Sequence, residues 1–146
     1  MLAVAAAAPA NAQTFELLGD DLRFPSGLSA DGRVVVGTGG SPQTLPFRWE
    51  DGDFEFLDLY REQSWSPRLL SGDGEVIVGL VTPFINEPFV WQDGAFSVLP
   101  LHAAGYEEGY AMTGISHDGS IITANYDGGE RNGIPVTLPL KWVDAN

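Results

Sequence analysis

The chain has 146 residues, and its 20 acidic and 7 basic side chains give a formal net charge of −13. This charge argues against nucleic acid and anionic membrane surfaces as partners, because contact with phosphate would be repulsive. The absence of cysteine excludes disulfides, thiolate nucleophiles and cysteine-based metal sites. A content of 18 glycines and 10 prolines is typical of short strands joined by turns.

The N-terminal segment carries no charged side chain up to Ala12 and ends in Ala10-Asn11-Ala12, a small-x-small pattern typical of signal-peptide cleavage. We therefore predict a signal peptide over residues 1–12, lacking its basic start, and a single exported domain over residues 13–146. The apolar stretch is too short to span a bilayer, so no membrane span is predicted. The expected location is the bacterial cell envelope or the extracellular space.

A ten-residue pattern occurs three times and contains a Ser-x-Asp-Gly turn between apolar runs. The Asp-Gly pairs begin at Asp31, Asp73 and Asp118, so the period is 42 and then 45 residues. A period of this size predicts a modular array whose units need neighbours to bury their apolar faces. The predicted units cover about residues 22–59, 66–101 and 111–146.

Each unit reads as four short strands. The first strand ends just before the Ser-x-Asp-Gly turn, because Asp-Gly between apolar runs favours a hairpin. The second strand is a short apolar run, the third contains a tryptophan preceded by proline, and the fourth follows another Asp-Gly turn. The first strands are predicted to end at Leu28, Leu70 and Ile115, the second to cover Val34–Val36, Val76–Val78 and Ile121–Thr123, and the fourth to cover Phe54–Leu57 and Phe96–Leu99.

The units are offset by one strand. Phe15–Leu18 matches the fourth-strand pattern with no unit before it, whereas the third unit lacks its fourth strand. The predicted fold is therefore all-β, a β-propeller-like array of three four-stranded antiparallel blades in which the N-terminal strand completes the last blade. Three arrangements are open at this stage: a fragment of a longer array, self-association that completes a larger propeller, and a small sandwich or open stack of three units.

The Ser-x-Asp-Gly-x-Val-Val-Val-Gly block, followed by Phe-Arg-Trp, resembles the bacterial extracellular family called HAF repeats. The resemblance is clearest over Leu28–Leu59 and Leu70–Leu101, and the third unit departs from it with Thr123-Ala124, Leu140 and a longer insert between Asn125 and Pro139. The resemblance implies an exported, propeller-like repeat protein. It supplies no activity and no catalytic residues.

The repeated polar residues are predicted to be structural. The turns also resemble the Asp-box hairpins of sialidase-type propellers, in which the motif is not catalytic, and Ser29, Ser71 and Ser116 are expected to bond local backbone. Gly114–His117 is superficially similar to a nucleophile elbow, but Asp118 stands where the second glycine should be. The repeated tryptophans Trp49, Trp91 and Trp142 are expected in the packing between or within blades.

Two non-repeated segments supply the candidate binding residues. Trp65 lies in one of them, and the other contains Tyr106, Glu107, Glu108 and Tyr110. Aromatic and acidic groups on loops can bind a sugar, a cation or a basic peptide. The alternative interpretation of both segments is a solvated connection between units.

No catalytic residue, cofactor or metal site is predicted. His102 and His117 are too few for a zinc site or a catalytic triad. No Asp-x-Asp-x-Asp-Gly spacing of a calcium loop occurs, and Asp20-Asp21 and Asp127–Glu130 are the best loose candidates for calcium, whose binding the sequence leaves open. The predicted function is a non-catalytic exported repeat module for protein or glycan recognition. The competing hypotheses are a glycan-active enzyme fragment of a propeller and a structural spacer of a larger surface protein.

Overall fold

The computed structural model describes residues 17–41, 44–57, 64–82, 87–100 and 109–144, which contain only strands, turns and bends. They form three antiparallel sheets, ordered β1-β2-β3-β4, β5-β6-β7-β8 and β11-β10-β9, so the predicted all-β class is confirmed. These ranges contain no helix that is long and apolar enough to cross a bilayer. The predicted signal peptide lies outside the described residues.

Each sheet corresponds to one sequence unit, and we call them the first, second and third unit. The strands of the first unit are β1 (Leu22–Leu28), β2 (Val34–Gly39), β3 (Leu45–Glu50) and β4 (Asp53–Phe56). The strands of the second unit are β5 (Ser64–Leu70), β6 (Val76–Thr82), β7 (Glu87–Gln92) and β8 (Ala95–Val98). The strands of the third unit are β9 (Tyr110–Ile115), β10 (Ile121–Arg131) and β11 (Ile134–Val143).

The first strand of every unit ends where the sequence predicts. The insert of the third unit differs from the predicted boundaries, since β10 does not end at Thr123 but continues to Arg131 and returns as β11. The hairpin turns at Asn132 and Gly133, whose φ values are 57° and 75°. An Asn-Gly pair accepts two positive φ values at little cost and matches the twist of the flanking strands. The insert therefore extends the sheet.

The predicted completion of the last blade is not seen in the described residues, where the third sheet has three strands. Of the proposed N-terminal strand, Phe15 and Glu16 lie outside the described residues. Leu17 and Leu18 are described but belong to no strand. Leu18 packs against the buried cluster of the first unit.

The Ser-x-Asp-Gly turns share one hydrogen-bond pattern. The Ser29 hydroxyl donates to the Asp31 carboxylate at 2.7 Å and accepts from the backbone N–H of Val34 at 2.9 Å. The same carboxylate oxygen accepts from the backbone N–H of Arg33 at 3.1 Å. The corresponding serine–aspartate distance is 2.6 Å in both other units. The serine and aspartate therefore close the turn, as their repetition predicts.

The turns also join the units to one another. The backbone N–H of Ala30 donates to the carbonyl of Gly72 at 2.8 Å, and that of Asp73 donates to the carbonyl of His117 at 2.9 Å. Apolar clusters lie between consecutive sheets. One combines Val34, Val36 and Leu57 of the first unit with second-unit residues that include Ile77 and Phe89, and another combines Val76, Val78, Val90 and Leu99 of the second unit with Ile122 of the third.

Candidate recognition cleft on the first unit

The structure places two of the sequence-predicted binding residues in strands. Trp65 lies in β5 and its ring meets Phe89 and Phe96 edge-on, with centroid distances of 5.3 and 4.2 Å. Tyr110 lies in β9, 5.2 Å from the ring of Tyr126. Both side chains are buried. Their predicted loop position is therefore wrong.

Strand register explains why the sequence pattern misses this position. Trp65 pairs with Val81, and Tyr110 pairs with Tyr126, at the start of the first strand of their units. Leu22 occupies the same place in the first unit, where it pairs with Gly39. A leucine, a tryptophan and a tyrosine thus fill one structural position. Their identities differ, and Leu22 lies seven residues before the turn serine where Trp65 and Tyr110 lie six. The equivalence of the three residues therefore shows only in the register.

The remaining predicted binding residues, Tyr106, Glu107 and Glu108, lie outside the described residues. Their role in binding stays a prediction.

A surface cleft of about 450 Å³ lies at the β3–β4 hairpin of the first unit. Its lining residues carry four carboxylates and two guanidinium groups, and one further lining residue is a phenylalanine. They are Arg33, Arg48, Glu50, Asp51, Asp53, Phe54 and Glu55.

The hairpin register gathers these charges on one face. Arg48 lies directly opposite Glu55, and Glu50 lies directly opposite Asp53. Because side chains alternate between the two faces of a strand, residues two apart share a face, and so do directly paired residues. One face of this short hairpin therefore carries three carboxylates and one guanidinium.

Two ion pairs organise part of the cleft. Arg33 forms a bidentate pair with Asp51, in which Nε donates to Oδ2 at 2.9 Å. Donation from Arg33 lowers the pKa of Asp51 and raises the pKa of the guanidinium. Arg48 Nη1 donates to Glu50 Oε2 at 2.7 Å. Within the described residues no ion pair involves Asp53 or Glu55, so two carboxylates of the cleft are open to a ligand.

Phe54 adds an apolar surface to the other face of the same hairpin, because it lies between Asp53 and Glu55 in β4 and directly opposite Trp49. It is 46% exposed, and its ring meets Phe56 edge-on at a centroid distance of 5.5 Å and an interplanar angle of 80°. An exposed aromatic ring offers a flat apolar platform for a sugar ring. The hairpin therefore offers cation attraction on one face and an apolar contact on the other.

The second unit has a smaller cleft at the equivalent hairpin, with a volume of about 280 Å³. Its strands pair in the same register, with Val90 opposite Ser97 and Gln92 opposite Ala95. Every charged position of the β3–β4 face is thus neutral in the β7–β8 face. The position of the cleft follows from the repeat, while its charge is particular to the first unit. A residue-by-residue comparison of the two hairpins is the sequence signal that reveals it.

Other polar groups of the described residues are engaged in turns. Across the described ranges, no group of three or more His, Asp and Glu side chains is placed to hold a metal ion. The carboxylates of the three Ser-x-Asp-Gly turns are engaged by serine hydroxyls. Donation from Ser116 and then from Ser120 lowers the pKa of Asp118 to about 2.

Comparison with known proteins identifies a likeness in fold. No protein-family model and no curated protein matches the chain. Among solved structures, the chain is similar to the crystal structure of TolB from Acinetobacter baumannii, with a TM-score of 0.58 and 13% sequence identity. The similarity covers 86% of this chain and 31% of the TolB chain. The chain therefore spans about a third of that protein's length.

Proposed function

We propose that the chain is a non-catalytic exported repeat module of β-propeller type that recognises proteins or glycans at or outside the cell surface. The observation that carries this proposal is the contrast between the two hairpin clefts. The residues that the units share close turns and fill the packing between sheets. Of the charged residues that the first unit has for itself, Asp53 and Glu55 are exposed, whereas Arg48 is largely buried and donates to the Gly74 carbonyl of the second unit. The exposed carboxylates are the side chains available for recognition.

The propeller arrangement is supported by two independent likenesses. The repeat pattern resembles HAF repeats, and the fold is similar to part of TolB, a β-propeller protein. Successive antiparallel sheets that pack face to face through their turns and apolar clusters are consistent with consecutive blades.

The cleft favours a basic segment of an extracellular protein as ligand. Four carboxylates against two guanidinium groups leave it net negative, and Asp53 and Glu55 have no partner among the described charges. A lysine or arginine side chain that enters the cleft would meet these carboxylates. The exposed ring of Phe54, on the other face of the hairpin, supports a neutral glycan as the second candidate ligand.

A matched variant tests the cleft directly. The triple variant Glu50→Gln, Asp53→Ala and Glu55→Ser replaces the three carboxylates of this face by the equivalent residues of the second hairpin. We expect the wild-type chain to bind basic peptides in a panel of extracellular sequences, and the triple variant to lose at least tenfold in that affinity. A glycan array tests the second candidate ligand. Phe24→Ala changes an exposed side chain on β1 and serves as the control, with unchanged binding.

The outcomes separate the competing functions. Unchanged binding in the triple variant would contradict recognition through this cleft, and Tyr106→Ala then tests the segment predicted from sequence. If the wild-type chain binds nothing in either panel, the structural-spacer hypothesis is favoured. Turnover of a glycan on the array would favour the enzyme hypothesis.

A further inference from the structure

Three leucines occupy equivalent places between units. Leu57 follows β4 and packs in a cluster with Ile77 of the second unit. Leu99 follows β8 and packs with Ile122 of the third unit. Val35 is the equivalent of Ile77 and Ile122 in the first unit, and it packs with Leu18. Leu18 therefore occupies, on the first unit, the place taken elsewhere by the leucine that ends the preceding unit.

The indole N–H of Trp49 in the first unit is a buried hydrogen-bond donor without an acceptor among the described residues. Trp142 Nε1 of the third unit donates to the carbonyl of Pro100, the residue after Leu99, at 3.0 Å. The equivalent Nε1 of Trp49 is buried and has no hydrogen-bond partner in the described part of the chain. An unpaired buried donor costs free energy that a packed neighbour would remove. The face of the first unit that carries Trp49 is thus built to meet another unit.

The third unit shows the complementary half of the same contact. Val34 and Val76 are 4% and 0% exposed, whereas Ile121, their equivalent in the third unit, is 37% exposed. The difference arises because the turn glycine of the next unit covers each valine: Gly74 lies against Val34, and Gly119 lies against Val76. Ile121 has no such glycine above it among the described residues.

The turn of the first unit lacks the corresponding contact, since no valine or isoleucine of a preceding unit lies against its glycine among the described residues. A Cβ built on Gly32 would meet nothing within 4 Å, in contrast to Gly74 and Gly119. Leu28 at the end of β1 is 61% exposed, whereas its equivalent Leu70 is 7% exposed. The two ends of the array therefore carry the two unpaired halves of an interface that is formed twice inside the chain.

We propose that a second copy of this chain occupies both ends, so that the first unit of each copy packs on the third unit of the other. The internal interfaces give the geometry: Gly32 of one copy lies on Ile121 of its partner, as Gly74 lies on Val34. Head-to-tail contacts form a ring when the rotation closes and a filament when it does not. Two copies supply six units, which falls within the four to eight blades of closed propellers. Leu18 then lies between the first unit and the third unit of the partner copy, as Leu57 and Leu99 lie between consecutive units of one chain.

The absence of cysteine from the chain allows a direct test by disulfide trapping. Ala30, Gly72 and His117 occupy the same position in the three turns, and a Cβ on Gly72 would lie 2.1 Å from His117 Nδ1. Head-to-tail packing puts Ala30 of one copy beside His117 of the other. Both side chains are exposed, so cysteine is tolerated at either position.

We expect the double variant Ala30→Cys and His117→Cys to form a covalent dimer on mild oxidation, seen on a denaturing gel without reductant. The single variants Ala30→Cys and His117→Cys are the matched controls and should stay uncrosslinked. Equal crosslinking in a single variant would indicate a head-to-head or tail-to-tail contact and overturn the proposal. So would the absence of crosslinking in the double variant.

A second measurement follows the apolar contact itself. The wild-type chain is expected to have the mass of a dimer by light scattering, and Ile121→Glu is expected to give a folded monomer. Ile134→Glu is the control, because Ile134 is an exposed isoleucine at the opposite end of the same β10–β11 hairpin. A wild-type monomer, an open polymer or a dimeric Ile121→Glu would each contradict the closed head-to-tail ring.

Discussion

Gly119 of the third unit lies against Val76 of the second unit so closely that a Cβ at this glycine would come within 2.3 Å of Val76 Cγ2. The contact is repeated by Gly74 and Val34. These glycines therefore have two structural roles. Their positive φ closes the Ser-x-Asp-Gly turn, and the absence of a side chain lets consecutive sheets approach each other.

The substitutions Gly119→Ala and Gly94→Ala separate these two roles. Both glycines have a positive φ, of 74° and 75°, so alanine costs about 1–2 kcal/mol at either position. Gly119→Ala also overpacks a buried contact, which adds about 1–3 kcal/mol, whereas a Cβ on Gly94 would meet nothing within 4 Å. The free energy of unfolding from denaturant titration should therefore fall further for Gly119→Ala. Equal losses would show that the contact between units is not tight.

Ser71 tests the hydrogen bonds of the turn, because it is fully buried. The Ser71 hydroxyl donates to Asp73 and accepts from the backbone N–H of Val76. Ser71→Ala leaves that buried N–H without its acceptor, at a cost of about 1–3 kcal/mol. Ser97→Ala removes the hydroxyl of an exposed serine in the same unit, so its loss in denaturant titration should be smaller. An equal loss for Ser97→Ala would contradict this account.

These turns are the part of the fold that sequence predicts best, for a physical reason. The hydrogen bonds among Ser29, Asp31 and Val34 join residues close in the chain, so a short sequence motif is enough to predict them. The strand position shared by Leu22, Trp65 and Tyr110 depends on cross-strand register and on bulges in the first strands. The residue at this position needs only to be apolar, so no particular residue type identifies the position in the sequence.

The candidate site was harder to predict than the strands. The repeat pattern identifies the β3–β4 turn as structural, and this is correct for the backbone. It gives no reason to look at the side chains of Glu50, Asp53 and Glu55, whose charges matter only because the hairpin register brings them together with Arg48. The arrangement of sheet ends likewise depends on contacts between distant segments, which spacing alone does not determine.

Asp118 gives the third unit a defined response to acid. Hydrogen bonds from Ser116 and Ser120 lower its pKa from an ordinary 3.8 to about 2. A carboxylate with a depressed pKa in the folded state stabilises the protein above the unfolded pKa. That stabilisation is lost as the pH falls from about 4 through about 2.

Asp118→Asn should therefore flatten the dependence of the unfolding free energy on pH between about 4 and 2, measured by denaturant titration at each pH. Ser120→Ala is the graded control, because it removes one donor and leaves the bond from Ser116. Its slope is expected to lie between those of the wild-type chain and Asp118→Asn. A wild-type slope in Asp118→Asn would show that this carboxylate is not held by the turn.

Trp65→Ala tests whether this residue acts through the core. Its ring lies edge-on to Phe89 and Phe96 in the cluster between the first and second units. Removing a buried aromatic side chain costs about 3–5 kcal/mol, so the unfolding midpoint should fall sharply. Trp65→Phe keeps an aromatic ring and should lose less. A Trp65→Ala variant that keeps wild-type stability would contradict a role for Trp65 in the core. If that variant also loses a ligand found in the peptide or glycan screen, Trp65 binds that ligand directly.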